Sequence, residues 1–428
     1  MSLASLFNPR SVLLIGSAKM QESGIMVTPE IFERVSANLK VFSGRYSVCD
    51  ADDENFSACD LAVITLPPEK VLEILPRLKT KFVLILSGGF DDGQRKRLKA
   101  FASKFRILGP NSVCGLINTS NSLNTTFERE LQIKSGKISV ISQSGGIGAA
   151  LLDYIVSDGV GLSKFVWIGN AADINECDVL EYLAKDPYTK VILLYLESIR
   201  EPRRFMQLAR HAPKPIIVLK AGASKEAKSR ALTHTDSLST DAELYTAAFR
   251  QAGIIEAESV RELLNCALLF ERYKKRKIRR VAIVSNTGGS SIIAADCCHR
   301  LGLELASFSE ETKKNIAEKY PRLKVINPLD IAADADGAKY KFILDLVVKD
   351  RNTDAVLIIN QFKSCLVKPE ELEALKRLKT GKIVLNCAPG EEDYKKAKFF
   401  LRDTFPMYGS VEDAVKVMKR AEEYGKWF

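Results

Sequence analysis

Histidine occurs only three times in the 428 residues, and His234 stands where a reacting group could. It lies in Thr233-His234-Thr235-Asp236-Ser237-Leu238, behind a strand-like run from Pro215 to Lys220 and a stretch of small and charged residues from Ala221 to Arg230. A helix is expected after it, from Ala242 to Gln251. Loops at strand ends carry chemistry on a rigid scaffold, and a neutral imidazole nitrogen is a nucleophile available near neutral pH. Position alone leaves two readings open: a nucleophile, or a loop histidine making one hydrogen bond. His211, before Ala212-Pro213-Lys214, falls at an expected helix end, and His299 inside an expected helix.

An imidazole that acts as a nucleophile through one nitrogen is best oriented by a carboxylate on the other. Glu197 ends the apolar run Val191 to Leu196, and an acid at the carboxyl end of a buried strand is costly unless paired. Asp173, in Gly169-Asn170-Ala171-Ala172-Asp173, is a second choice that could equally cap the following helix. Ser142-Gln143-Ser144-Gly145-Gly146 closes a strand and opens a helix expected from Ile147 to Val156. Such a turn aims backbone N–H groups and a helix dipole at one point, which suits a phosphate; an ordinary strand-to-helix turn is the alternative. Ser285-Asn286-Thr287-Gly288-Gly289 repeats the pattern, and there a helix start and a catalytic role are equally open.

The segment from Gly222 to Glu258 resembles the phosphohistidine loop of the NDP-forming acyl-CoA synthetases, the superfamily that also contains succinyl-CoA synthetase. In the ADP-forming acetyl-CoA synthetase branch that loop reads approximately Ser-His-Thr-Gly-Ser-Leu-Ala-Gly, then a tyrosine and Ala-Ala-Phe-Arg-Gln-Ala-Gly. Here the frame gives Thr233 to Thr240, Tyr245 and Ala247-Ala248-Phe249-Arg250-Gln251-Ala252-Gly253. Asp236, Ser239 and Thr240 depart from small or glycine positions. The resemblance extends over nearly the whole chain in the segment order of the α subunit. It implies that His234 is the nucleophile and Glu197, in Tyr195-Leu196-Glu197, its orienting acid, with Ser144, Gly145 and Gly146 holding the phosphate. It also implies a CoA site at Gly16, Ser17, Ala18 and Gly24, with Pro67, Ser87, Gly88 and Asn111 from the loops Leu66-Pro67-Pro68, Ser87-Gly88-Gly89-Phe90 and Gly109-Pro110-Asn111. The first strand lacks Gly-x-Gly-x-x-Gly, which disfavours a nicotinamide cofactor. Val41 to Ser57 is shorter and more polar than its family counterpart.

The activity implied is that of an α subunit of an ADP-forming acyl-CoA (acetyl-CoA) synthetase: acyl-CoA, ADP and phosphate give carboxylic acid, CoA and ATP. Phosphate attacks the thioester, the acyl phosphate phosphorylates His234, and the loop carries the phosphoryl group to ADP. No Gly-x-x-x-x-Gly-Lys-[Ser/Thr] occurs and no stretch resembles an ATP-grasp domain. An ATP-grasp β subunit holding ADP/ATP with Mg2+ is therefore expected, in an α2β2 heterotetramer. Two rivals stand beside this reading: a non-catalytic CoA-binding or regulatory relative, consistent with the departures near His234, and a CoA-dependent acyltransferase without a phosphoryl relay.

The elements that must position these residues are legible as short apolar runs alternating with amphipathic stretches, the signature of parallel sheets flanked by helices. Strands are expected at Ser11–Gly16, Leu61–Leu66, Phe82–Ser87 and Arg106–Leu108, then from Ile138 to Ser142, Phe165 to Ile168, Val191 to Leu196 and Ile216 to Leu219. A third set covers Arg280–Val284, Ala355–Ile359 and Lys382–Asn386. The fold expected is α/β: a Rossmann-like CoA-binding domain at 1–128, a flavodoxin-like domain at 129–270, a basic linker at 271–280 and a second flavodoxin-like domain of succinyl-CoA synthetase type at 281–428.

Composition fits a globular chain, with 46% hydrophobic and 27% charged residues and a formal charge of +10 that favours anionic ligands. The run Lys274 to Arg280 reads as a solvated linker, so no nucleic acid is expected. Nine scattered cysteines without Cys-x-x-Cys argue against a metal site or a disulfide framework. No apolar run approaches about 18 residues and the amino terminus lacks a leader pattern, so no membrane contact and a cytoplasmic location are expected.

Overall fold

The computed structural model describes residues 2–17, 28–112, 114–128, 131–222, 242–273, 277–363 and 368–426. Ala18, Gly24 and the loop bearing His234, Asp236, Ser239 and Thr240 lie outside them. The chain falls into two compact units, Met1–Leu264 and Asn265–Phe428.

In the first unit, β1 (Ser11–Gly16), β2 (Arg45–Asp50), β3 (Cys59–Ile64), β4 (Thr80–Ile85) and β5 (Arg106–Leu108) form a parallel sheet in the order β2-β1-β3-β4-β5. Its inner strands are unbroken apolar runs because both faces are covered: Val12, Leu14, Leu61 and Val63 enter one core, Leu13, Ile15, Ala62 and Ile64 the other. β2 is not among the strands expected from the sequence. Its residues are exposed or half-buried throughout, as an edge position allows, so neither periodicity nor an apolar run marks it.

The second sheet contains β6 (Leu116–Asn118), β7 (Leu123–Asn124), β8 (Ser135–Ser142), β9 (Leu162–Trp167), β10 (Val191–Leu196), β11 (Ile216–Lys220) and β12 (Ile255–Glu256), in the order β12-β11-β10-β8-β9-β6-β7. β8 to β12 are parallel, while β6 runs antiparallel to β9 and to β7. One core joins the facing sides of both sheets: Val12, Val63 and Leu84 belong to the same apolar cluster as Ile141, Ile192, Leu194 and Val218. That shared core lets loops from different sheets meet with fixed geometry.

The second unit is built on β13 (Arg280–Ser285), β14 (Glu304–Leu305), β15 (Leu329–Asp330), β16 (Ala355–Ile359), β17 (Ile383–Cys387) and β18 (Met407–Tyr408), ordered β14-β13-β16-β17-β18 with β15 pairing β13. The basic run before it is only partly linker. Lys277 and Arg279 are exposed and Ile278 is buried, while Arg280 begins β13 and pairs with Asp354 at 3.2 Å. Tyr273 accepts from Val384 N–H and donates to its carbonyl oxygen. Among the described residues no helix is long and apolar enough to cross a membrane.

Candidate active site

Parallel strands present their carboxyl ends along one edge, where the helices that follow start with unsatisfied N–H groups. At β8 this yields the turn Ser142 to Gly146. Ser142 Oγ donates to Ser144 O at 2.7 Å, and Ser144 caps the helix Gly145–Ser157 by accepting from Ile147 N–H at 3.3 Å. The first intrahelical bond runs from Gly148 N to Ser144 O, so the N–H groups of Gly145 and Gly146 precede the helical ladder. A Cβ on Gly146 would meet nothing within 4 Å, so the turn is open at that residue. The Ser144 hydroxyl is used as an acceptor by its own helix and retains its proton for a further acceptor.

Glu197 follows β10 directly, and β10 and β8 are neighbours. The residue that ties them is Gln143, to which the sequence reading gave no role. Its Oε1 accepts from Glu197 N–H at 2.5 Å and Ser198 N–H at 3.0 Å, and its Nε2 donates to Ser198 O at 2.8 Å. Lys220, at the end of β11, donates to Glu197 O at 2.8 Å and Ala221 O at 2.6 Å, with its ammonium 4.6 Å from the Tyr245 ring centre. These contacts fix the backbone on both sides of the half-buried Glu197. Burial, reinforced by the charge of Glu197, pushes the Tyr195 hydroxyl up to about 12.

Asp173, the second carboxylate considered for the imidazole, is engaged by the first sheet. It takes the Nε of Arg106 at 2.8 and 3.0 Å and the N–H of Ile107 at 2.8 Å. Nor does it cap the next helix: Asn175 does, in a reciprocal box with Asp178.

At the first sheet, Gly16 lacks a side chain because one would strike Phe32 and Thr65. Ser17 Oγ donates to Asp50 Oδ2 at 3.0 Å, and Pro67 precedes the helix Pro68–Ile74. Gly88 is buried beside Ser87, whose fully buried hydroxyl has no partner among the described residues. Asn111, with φ of 58°, donates its N–H to Ser87 O at 2.7 Å. An orphaned hydroxyl at a strand's carboxyl end fits a polar ligand such as CoA, which these loops would hold.

The loop after β9 joins the two sheets. A Cβ on Gly169 would lie 2.4 Å from Pro110 O and 2.5 Å from Asn111 O, Asn170 N–H donates to Pro110 O at 2.9 Å, and Ala172 N–H to Gly109 O at 2.9 Å. Glu176 is fully buried, so its carboxyl is held above the ordinary range although Arg200 N–H donates to it at 2.6 Å. A groove of about 850 Å³ lined by Ala184, Pro187, Leu208 and Ala212 lies at the opposite, amino edge of the second sheet and takes no part here.

Residues 135–270 match the succinyl-CoA ligase like flavodoxin domain. Over 98% of its length the chain is 33% identical to the α subunit of acetate–CoA ligase [ADP-forming] II of Pyrococcus furiosus, of which 98% is covered. The chain belongs to the family of ADP-forming acetate–CoA ligase α subunits. It is also 35% identical to acetate–CoA ligase [ADP-forming] I of Archaeoglobus fulgidus, spanning 63% of that longer protein. The dinucleotide-forming acetyl-coenzyme A synthetase 1 of Ca. Korarchaeum cryptofilum, solved with phosphate and ADP, superposes with a TM-score of 0.88 at 27% identity, covering all of this chain and 97% of that one. For this family member the α/β class, with a Rossmann-like sheet followed by flavodoxin-like ones, agrees with the sequence reading.

Proposed function

We propose that the chain is the acyl-CoA-binding and phosphohistidine-bearing part of an ADP-forming acid–CoA ligase, interconverting acyl-CoA, ADP and phosphate with carboxylic acid, CoA and ATP. The observation that carries this reading is the order of loops along one edge: Asn111 and Ser87 at the first sheet, then Asn170 after β9, Ser144 to Gly146 after β8 and Glu197 after β10. A molecule reaching from the first sheet toward Glu197 passes the phosphate-type turn on its way.

In this mechanism CoA is a substrate held by Gly16, Ser17, Ala18, Gly24, Pro67, Ser87, Gly88 and Asn111. Gly145 and Gly146 direct N–H groups at the phosphate, and Ser144 donates its hydroxyl proton to it. His234 takes the phosphoryl group as Glu197 stabilises the positive imidazole. ADP/ATP and Mg2+ are assigned to an ATP-grasp β subunit in an α2β2 assembly; the P. furiosus relative is designated a subunit, which supports the need for a partner chain.

Reconstitution tests this. The chain produced with an ATP-grasp subunit should form ATP from acetyl-CoA, ADP and phosphate, and neither chain should do so alone. ATP formation by this chain alone, or tight ADP binding to it, contradicts the assignment.

A further inference from the structure

Among the residues of the edge, Asn170 has no role in the mechanism so far. It lies between the two halves of the site. Its main chain is locked to the Gly109–Asn111 loop by the Asn170 N–H to Pro110 O bond and by the close approach of Gly169 to Asn111. Arg200 donates to the Asn170 carbonyl oxygen, tying the same loop to the segment after Glu197. The Asn170 side chain accepts from Asn111 Nδ2 at 3.4 Å. That contact occupies its Oδ1, and neither N–H of its own amide has a partner among the described residues. The residue is half-buried.

Sheet order gives the position meaning. β9 is next to β8 and β8 next to β10, so the carboxyl ends of each neighbouring pair lie about 5 Å apart across the sheet. Asn170 thus stands one strand from the phosphate-type turn and two from Glu197, while its side chain touches the first-sheet loop. A thioester held by the first sheet and attacked by phosphate at the turn has its carbonyl group here.

We propose that the Asn170 carboxamide, held by Asn111, donates a hydrogen bond to the acyl carbonyl oxygen during transfer between CoA and phosphate. This rests on the proposed function. In that transfer an oxygen of hydrogen phosphate attacks the carbonyl carbon, forming C–O while the π electrons move onto the carbonyl oxygen. Collapse breaks C–S, and the phosphate proton ends on sulfur, so the products are acyl phosphate and the CoA thiol. The developing oxyanion is what a prearranged amide donor stabilises.

The test separates the half-reactions. The chain, co-produced with its nucleotide-binding subunit, is assayed for acetyl-CoA formation from acetyl phosphate and CoA, and for labelling of His234 by γ-labelled ATP, in wild type, Asn170→Asp and Asn170→Ala. Acetyl transfer should fall roughly 100- to 1000-fold in both variants, chiefly in kcat, with labelling within twofold of wild type. Acetyl transfer within threefold of wild type, or an equal fall in transfer and labelling in both variants, overturns the proposal. The transfer assay does not depend on His234, so a wild type that transfers acetyl without labelling refutes the relay and not the role of Asn170.

Discussion

The carboxamide oxygen of Gln143 accepts from the main-chain N–H of Glu197 at 2.5 Å. The residue that opens the phosphate-type turn thereby also sets where the carboxylate begins. The second unit repeats the device: Asn286, in the matching turn, accepts from Gln361 N–H at 2.9 Å and donates to Gln361 O at 2.8 Å. A strand-end amide that clamps the loop after the neighbouring strand fixes an edge without occupying it.

Replacing Gln143 by Ala removes this clamp and leaves main-chain groups of Glu197 and Ser198 to find water. Urea unfolding should show a loss of about 1–3 kcal/mol, accompanied by slower ATP formation. Unchanged stability would mean that the loop after β10 is held by other contacts, Lys220 first among them.

Glu197→Gln keeps the shape of the side chain and removes its charge. ATP formation by the reconstituted pair should fall by about 2–4 kcal/mol of transition-state stabilisation, with unfolding unaltered. Asp173→Asn should behave in the opposite way, losing stability through Arg106, and comparing the two by kinetics and by urea titration checks both assignments.

Glu176 supplies a pH prediction. Because burial raises its folded-state pKa, the folded chain keeps a proton that the unfolded chain releases above about 4.3. Stability therefore falls as pH rises from that value through the folded pKa. Glu176→Gln should flatten the decline and stabilise the chain at neutral pH, as followed by urea midpoints across the pH range.

Lys164 and Asp186 form an ion pair at 2.7 Å with side chains only 1% and 3% exposed. Asp186→Ala leaves a buried ammonium and should cost about 3–5 kcal/mol, whereas Lys164→Met in the same chain should restore much of the loss. Additive losses in the double variant, measured by urea unfolding, would show that the two side chains do not act as a pair.

How far the sequence revealed this edge follows from what each residue does. Glu197 was visible because an acid interrupts an apolar strand at its end, and the turn after β8 because glycines follow a buried run. Gln143 and Asn170 were not, since the one binds backbone groups after β10 and the other the Asn111 side chain, both distant in sequence, and an amide in a loop has many ordinary uses. The ion pair of Asp173 was hidden because its partner, Arg106, belongs to the other sheet. β2 escaped notice because an exposed edge strand has neither an apolar run nor alternation. The antiparallel pair β6 and β7 extends the second sheet from residues that precede β8, which no local pattern could announce.

The phosphoryl relay proposed for His234 passes through a covalent phosphoramidate, which labelling detects. The chain with its nucleotide-binding subunit and γ-labelled ATP should acquire one phosphoryl group on His234, stable in base and labile in acid. His234→Ala should abolish the label and ATP formation while CoA binding persists, and replacement of His211 or His299 should change neither. A pair that forms ATP while His234→Ala still labels as the wild type does would contradict the relay.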